Sequence, residues 1–118
     1  MLKDQHTEIN SSLRTVEWKD NKVIMIDQTK LPNQLVFVEY DDYNQVADAI
    51  RTLVVRGAPA IGVSGAFGLA LASLQSKATT KDELISDLEK ARKILYDTRP
   101  TAVNLKWGLD KIMKIANS

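Results

Sequence analysis

The stretch from Gly57 to Ser76 constrains the fold most, because it contains no charged side chain. The missing N–H and fixed φ of Pro59 suit the first turn of a helix, so a helix is predicted from about Pro59 to Leu74. Such a helix is long enough to span a membrane, but its proline, glycines and serines make a membrane-spanning helix a weaker interpretation. We therefore expect a central helix surrounded by other elements, with Ile61 to Leu71 largely buried.

Three glycines recur on this helix at three-residue spacing, Gly62, Gly65 and Gly68. Each costs about 1 kcal/mol of helix propensity relative to alanine, so close packing or access to the backbone must offset that cost. Small residues on one side of a helix allow a second helix to pack close to it. The sequence therefore predicts that another helix lies against the glycine side.

The residues before the central helix predict a small antiparallel sheet. Two strands, Val16 to Trp18 and Val23 to Ile26, flank a turn in which Asp20-Asn21 tolerates left-handed geometry. The β-branched and aromatic residues from Leu35 to Tyr40 predict a third strand. Residues 1–15 are polar and show no clear period, so we expect a loose tail or a short covering helix there.

Capping residues divide the second half of the chain into helices. Two capping-box signatures mark helix starts, Asp42 with Gln45 and Thr80 with Glu83. The first of these helices is expected to run to about Val54. Pro100 ends the second one, and Thr101 is expected to cap the last helix.

The last helix has one apolar side in the sequence, formed by Leu105, Leu109, Ile112 and Ala116. Trp107 lies off this side together with Val103, and is expected to meet the sheet or a neighbour outside the chain. The elements predict an α+β fold, with a small three-stranded antiparallel sheet followed by a bundle of about four helices. We expect a single N-terminal domain over residues 1–118, with a polar tail at 1–15, strands at 16–40 and the helical bundle at 41–118.

Charge and composition exclude several kinds of partner. The 16 lysines and arginines against 15 acidic residues leave no charge excess that would favour nucleic acid or an anionic membrane. The chain has no cysteine, hence no disulfide and no thiolate metal ligand, which fits a cytoplasmic protein. His6 is the only histidine and lies in the polar start, so neither a metal site nor a serine–histidine triad is expected.

Two local motifs are not expected to have a catalytic role. The run Gly62 to Ala66 nearly copies a nucleophile elbow, but it lacks the final glycine and has no histidine to activate the serine. The carboxylate pair Asp41-Asp42 stands at a helix start, where capping is the expected role.

The start of the central helix has the features of an anion site. Arg56 and Gly57 precede the helix, and we expect the free amides of its first turn, on Ala60 and Ile61 among others, to point back toward them. Amides, the positive end of the helix dipole and a guanidinium together suit a phosphate, although the same residues also serve as ordinary helix-start punctuation. Arg99 precedes the last helix in the same way, so the two helix starts and both guanidiniums are expected to converge on one phosphate.

Three stretches of the chain stand out together: the long blocks Val55–Val63 with Gly68–Ala72 and Thr98–Leu105 with Trp107, and the weaker signature Asp27-Gln28 with Leu31-Pro32. They resemble the N-terminal part of methylthioribose-1-phosphate isomerases. The blocks stand in the family's order and cover most of the chain. The resemblance implies an enzyme of methionine salvage that opens an aldose 1-phosphate to a ketose, and no metal or cofactor is expected.

By that resemblance Arg56, Gly57, Ala58 and Arg99 are substrate-binding positions. The family's catalytic cysteine and aspartate belong to a C-terminal Rossmann-like domain that we expect to lie outside this chain. No catalytic residue is therefore expected within residues 1–118, and the chain alone is not expected to isomerise methylthioribose 1-phosphate. The implied partners are a sugar-phosphate substrate, the C-terminal domain of the same protein and, at full length, a second copy in a homodimer.

Two related families remain as alternatives. Ribose-1,5-bisphosphate isomerases share the Arg-Gly-Ala start, but Pro59–Val63 and Asn104 with Trp107 look closer to the methylthioribose enzymes. The regulatory subunits of the exchange factor for translation initiation factor 2 share the fold without the isomerase role. A non-enzymatic regulatory subunit is thus the alternative from a different class, and the presence of both Arg56 and Arg99 favours the enzyme.

Overall fold

The structure, a computed structural model, describes residues 15–118. The expectations for the polar tail before Thr15 and for His6 therefore lie outside the described residues.

The described chain begins with a three-stranded antiparallel sheet in the order β1-β2-β3. Its strands are β1 (Val16–Lys19), β2 (Lys22–Ile26) and β3 (Phe37–Tyr40). Asp20 and Asn21 join β1 to β2 with φ values of 54° and 61°, the left-handed geometry that the sequence predicts for this hairpin. The third strand begins two residues later than predicted, because its pairing with β2 stops where Phe37 lies opposite Ile26.

Four helices follow the sheet, so the predicted α+β fold is confirmed: α1 (Tyr43–Arg51), α2 (Ala58–Gln75), α3 (Lys81–Thr98) and α4 (Val103–Asn117). Asp42 caps α1 in a complete capping box with Gln45, as predicted. Thr80 caps α3 by accepting a hydrogen bond from the amide of Glu83 at 3.2 Å. The carboxylate of Glu83 accepts from the Thr80 hydroxyl at 3.0 Å.

Two helix boundaries differ from the prediction. Helix α1 ends at Arg51 rather than near Val54, because Leu53 adopts a φ of 66° and turns the chain out of the helix. The residue that caps α4 is Ala102, not Thr101, and it offers no side-chain hydrogen bond. The amide of Ala102 donates to the carbonyl of Arg99 at 2.9 Å, so Thr101 is held in a turn ahead of the helix.

Helix α2 packs against the other three helices and against β1 and β2, as expected for the central element. It is long and apolar enough to span a membrane by length and composition alone, but this packing is that of a core helix. Leu69 and Leu71 are completely buried, whereas Val63 is 42% exposed. The prediction of a buried central helix is therefore confirmed except along the strip that contains Val63.

The glycine side of α2 packs closely on its neighbours, as predicted. A Cβ atom at Gly62 would lie 2.8 Å from the carbonyl oxygen of Asn104, and one at Gly65 would lie 2.6 Å from Leu105 Cδ1, both on α4. A Cβ atom at Gly68 would lie 3.1 Å from the side chain of Leu95 on α3. The glycines thus provide the close approach that offsets their low helix propensity.

The helices alternate in direction. Asp87 of α3 accepts a hydrogen bond from Ser76, just beyond the end of α2, so α2 and α3 run antiparallel. Lys81 at the start of α3 donates to the carbonyl of Asn117 at the end of α4, so α3 and α4 are antiparallel too. Helices α2 and α4 therefore run parallel, and both begin at the same end of the bundle.

Candidate functional site

Helix α2 begins on a glycine whose conformation another residue adopts only with strain. Gly57 is the N-cap and has a φ of 94°, within the left-handed region that favours glycine. A Cβ atom at this position would meet nothing within 4 Å, so the space above the backbone is open. Arg56, Gly57 and Ala58 are all exposed. A ligand can therefore approach the peptide backbone at this helix start.

The first turn of α2 offers fewer free amides than the sequence suggests. The amide of Ile61 donates to the carbonyl of Gly57 at 2.9 Å, so the expectation that it is free is wrong. This bond is the first regular i to i−4 bond of the helix, which a carbonyl at the N-cap normally accepts. Among the residues that the structure describes, the amides of Ala58 and Ala60 donate to no partner, and Pro59 carries no N–H.

The start of α4 has a similar arrangement. Arg99 is half-buried and caps the C-terminus of α3, where its amide donates to the carbonyl of Tyr96 at 3.2 Å. The amides of Val103, Asn104 and Leu105, in the first turn of α4, have no hydrogen-bond acceptor within residues 15–118. This helix start therefore also presents donors and the positive end of a helix dipole.

The capping pattern separates the four helices into two pairs. Helix α1 is capped by Asp42, which accepts from the amide of Asn44 at 2.8 Å, and α3 is capped by Thr80. Helices α2 and α4 have no side-chain cap, and both begin at one end of the bundle. Unsatisfied N–H groups are thus concentrated at the end that carries Arg56 and Arg99.

The two arginines also differ from other arginines of the domain. The Arg51 guanidinium pairs with Asp48, and that of Arg92 pairs with Asp110 at 2.7 Å. The side chains of Arg56 and Arg99, by contrast, form no ion pair or hydrogen bond with any other residue from 15 to 118. Both guanidiniums therefore keep their donors available for an anion.

The shifted pKa values lie away from these two helix starts. Burial raises the pKa of Tyr40 on β3, and the charges of Asp27 and Asp48 raise it further. Hydrogen bonds from Lys106 and Arg92 lower the pKa of Asp110, two turns into α4. Within the described part of the chain, no group of three or more metal-binding side chains occurs. The electrostatics of the candidate site therefore come from arginines and helix ends.

A groove between α2 and α4 adjoins the two helix starts, and we call it the α2/α4 groove. It has a volume of about 670 Å³ and is lined by Pro59, Gly62, Val63, Ala66, Phe67, Val103, Asn104, Trp107, Gly108 and Lys111. Trp107 is 64% exposed and Val103 is 77% exposed, so Trp107 stays open to solvent. Sequence reasoning did not predict a groove, although the position of Trp107 off the core side of α4 was the available signal.

Residues 54–118 match the initiation factor 2 subunit family. A methylthioribose-1-phosphate isomerase of Geobacter metallireducens is 50% identical over 105 residues, which are 89% of this chain and 30% of that protein. A second such isomerase, from Citrifermentans bemidjiense, is 52% identical over 105 residues, with the same coverage. The chain thus spans less than a third of the length of these curated relatives.

Two solved structures share the fold. The 5-methylthioribose 1-phosphate isomerase from Pyrococcus horikoshii superposes with a TM-score of 0.84 at 49% identity, over 88% of this chain and 29% of that one. The delta subunit of translation initiation factor eIF-2B from A. fulgidus superposes with a TM-score of 0.81 at 45% identity, over 86% of this chain and 30% of that one.

Proposed function

This chain belongs to the initiation factor 2 subunit family, and we propose on that basis that it forms the substrate-binding N-terminal domain of a sugar-phosphate isomerase. The whole protein would convert 5-methylthioribose 1-phosphate to 5-methylthioribulose 1-phosphate, a step of methionine salvage in the cytoplasm. The observation that carries the proposal is the sequence identity: about half of the aligned residues are identical to those of proteins named methylthioribose-1-phosphate isomerase, over nearly the whole of this chain.

The proposed role of this domain is to hold the phosphate of the substrate. Its ligands would be Arg56, Gly57, Ala58 and Arg99, at the end where α2 and α4 begin. Three features support this assignment: both helix starts lack a side-chain cap, both guanidiniums lack a partner among residues 15–118, and Gly57 leaves its backbone open. A phosphate there would accept hydrogen bonds from amides and bidentate bonds from arginine.

Isomerisation of an aldose phosphate also requires groups that move protons, and a binding site alone does not supply them. We place those groups in the part of the relatives that this chain does not span, in a C-terminal domain of the same polypeptide, and we expect the whole protein to be a homodimer. The 118-residue chain on its own is then expected to bind substrate weakly and to show no turnover.

The test is a grafted enzyme. Residues 1–118 replace the matched segment of the Geobacter metallireducens relative, and isomerisation of methylthioribose 1-phosphate is measured. Turnover by the graft and none by the isolated chain is the expected result. A folded graft without turnover contradicts the proposal.

Within the graft, Arg56→Ala and Arg99→Ala should each raise KM roughly ten- to a hundredfold, because each removes a charge-assisted contact of about 1.5–3 kcal/mol. Lysine at either position should restore only part of the affinity, since a point charge does not reproduce the planar fork. Arg51→Ala is the matched control, because Arg51 is exposed and already pairs with Asp48. An unchanged KM in both variants would show that these arginines do not bind the substrate.

The second candidate function is that of a non-enzymatic subunit. The likeness to the eIF-2B delta subunit, at 45% identity, favours it independently of the isomerases. The two functions differ in the same graft experiment, because a regulatory subunit predicts a folded protein that does not convert the sugar phosphate.

A further inference from the structure

The chain between α1 and α2, which carries Arg56, is joined to a distant turn by a hydrogen bond. The amide of Gln28 donates to the carbonyl of Val54 at 2.8 Å. Other hydrogen bonds to residues 52–57 within the described range connect them to α1 or α2, the helices on either side. We call residues 52–57 the Arg56 segment. The Gln28 amide is therefore its one hydrogen-bonded link to the rest of the described domain.

Gln28 belongs to a short turn that a buried carboxylate holds. Residues 27–30, which we call the Asp27 turn, follow β2 and form a 3₁₀ helix over Gln28–Lys30 with Asp27 as its N-cap. Asp27 is 8% exposed, and one of its carboxylate oxygens accepts hydrogen bonds from the amide and the hydroxyl of Thr29, at 2.9 and 2.6 Å. A buried carboxylate is destabilising unless it is hydrogen-bonded, so these two bonds fix the conformation of the turn.

The Arg56 segment has a strained backbone at Leu53. Its φ is 66°, in the left-handed region that a bulky residue rarely adopts. The Leu53 side chain is 43% exposed, so its own burial does not impose this conformation. The next residue is bonded at both of its backbone groups, because the Val54 amide donates to Ala49 at 3.0 Å and the Val54 carbonyl accepts from Gln28. Strain of this kind persists where the surrounding structure fixes it, and it is concentrated at functional sites.

The position of Arg56 depends on this anchor at Val54. Val55 is buried, whereas Gly57 has the conformational freedom of glycine, so the backbone before Arg56 orients it more than the backbone after it. The Arg56 side chain has no ion pair or hydrogen bond with residues 15–118 that would hold it in place. Ligands that are ordered beforehand bind an anion more tightly, because binding does not have to restrict them.

We propose that Asp27 and Thr29 are positioning residues for the phosphate site: they hold the Asp27 turn, whose Gln28 amide fixes Val54 and so places Arg56 before the anion arrives. The inference rests on the proposed function, since it takes Arg56 to bind a phosphate. Loss of the anchor should raise KM and leave kcat unchanged, because the contact it supports is the same in the ground state and the transition state. Partial unfolding has the opposite signature, since it lowers the amount of active enzyme and leaves KM unchanged.

The first measurement is made by NMR on the 118-residue chain. Asp27→Ala removes both bonds from Thr29, and it should speed the solvent exchange of the Gln28 amide at least about tenfold. The order parameters of the Arg56 and Gly57 amides should fall below about 0.6, the range of flexible backbone. Thr29→Val removes only the hydroxyl bond at an exposed residue and should give smaller changes in the same direction, which keeps the measurement decisive if Asp27→Ala does not fold.

Asp42→Ala is the matched control. The Asp42 carboxylate accepts from the amide and the side chain of Asn44 at 2.8 and 3.1 Å, so it makes the same kind of contact with the residue two positions ahead. This cap lies at the opposite end of α1 from the Arg56 segment. Asp42→Ala should speed the exchange of the Asn44 amide and leave the exchange of the Gln28 amide unchanged.

The second measurement is the KM of the graft for methylthioribose 1-phosphate. Asp27→Ala should raise KM about two- to tenfold, the effect of having to order one long side chain on binding, with kcat unchanged. Asp27→Asn should restore the parent KM, because the side-chain oxygen of asparagine accepts the same two hydrogen bonds. Asp42→Ala should leave KM unchanged. In an Arg56→Ala background, Asp27→Ala should have no further effect on KM, since Asp27 acts through Arg56.

Unchanged exchange at Gln28 and unchanged order at Arg56 in a folded Asp27→Ala or Thr29→Val chain overturn the proposal. An active graft whose KM is unaffected by a released turn overturns it as well. So does an increase in KM that persists in the Arg56→Ala background, because Asp27 then acts on the substrate by another route. A folded parent graft without turnover refutes the isomerase function alone, since the NMR measurements on the isolated chain still decide whether the Asp27 turn positions Arg56.

Discussion

Gly108 on α4 lies against the backbone of α2 more tightly than any other glycine of the domain. A Cβ atom there would overlap the carbonyl oxygen of Gly62, at a distance that real Cβ atoms do not show. The obstacle is backbone within a helix, so it cannot rotate away as a side chain does. The change Gly108→Ala must therefore move α4 away from α2, and this movement separates the buried Leu105 and Leu109 from their partners on α2.

The magnitude follows from two opposing effects. Overpacking a core costs typically 1–3 kcal/mol, and about 3 kcal/mol is appropriate here because the contact is between backbones. Alanine regains about 1 kcal/mol of helix propensity over glycine. The net loss in the free energy of unfolding is then about 2 kcal/mol. For a domain of roughly 100 residues this corresponds to a fall in Tm of about 8–16 °C.

Thermal and urea unfolding of the 118-residue chain, followed by circular dichroism, measure this loss. Gly65→Ala is the control, since its Cβ would meet the flexible side-chain end of Leu105 rather than backbone. Its overpacking cost should be nearer 1 kcal/mol, so the propensity gain should leave its stability almost unchanged. A Gly108→Ala chain at least as stable as the parent would show that α2 and α4 are not packed backbone to backbone.

Two further predictions concern the cap of α1 and an ion pair on α4. Asp42→Ala should lower the free energy of unfolding by about 1 kcal/mol, because it removes the hydrogen bond from the Asn44 amide and breaks the capping box. Urea unfolding measures this loss, and Asp41→Ala is the control. Asp110→Asn should cost less than about 1 kcal/mol at pH 7, since the carboxylate is 42% exposed. Because hydrogen bonds from Lys106 and Arg92 lower the pKa of Asp110 in the fold, its charge contributes stability above the unfolded-state pKa, and this stability is lost as pH falls through the folded-state pKa. The difference between Asp110→Asn and the parent should therefore shrink as pH falls, and a difference that does not change with pH contradicts this role.

The features that the sequence predicts well depend on residues close together in the chain. The turn at Asp20-Asn21, the cap at Asp42 and the start of α2 after Gly57 each follow from a few adjacent residues whose conformational preferences are strong. The same preferences place Arg56 before a helix start. Local chemistry therefore accounts for the order of the elements and for one half of the candidate site.

The errors arise where tertiary structure overrides a local preference. Leu53 takes a left-handed conformation that favours glycine, which ends α1 earlier than its apolar pattern suggests. Thr101 is a good capping residue, but the turn closed by Ala102 keeps it ahead of α4. Gly108 has no local signature at all, because its role depends on Gly62 in another helix. These features depend on contacts that no short stretch of sequence contains.

The packing of α2 on α4 also determines how the two proposed phosphate-binding loops are arranged. Because the helices are parallel, any change in their separation moves Arg99, just before α4, relative to Arg56, just before α2. Gly62 and Gly108 reduce this separation to direct backbone contact, which is less adjustable than a layer of side chains. If one phosphate bridges both loops, Gly108→Ala in the graft should therefore raise KM as well as lower stability. Gly68→Ala, which meets only the side chains of Leu95 and Val46, should leave KM unchanged.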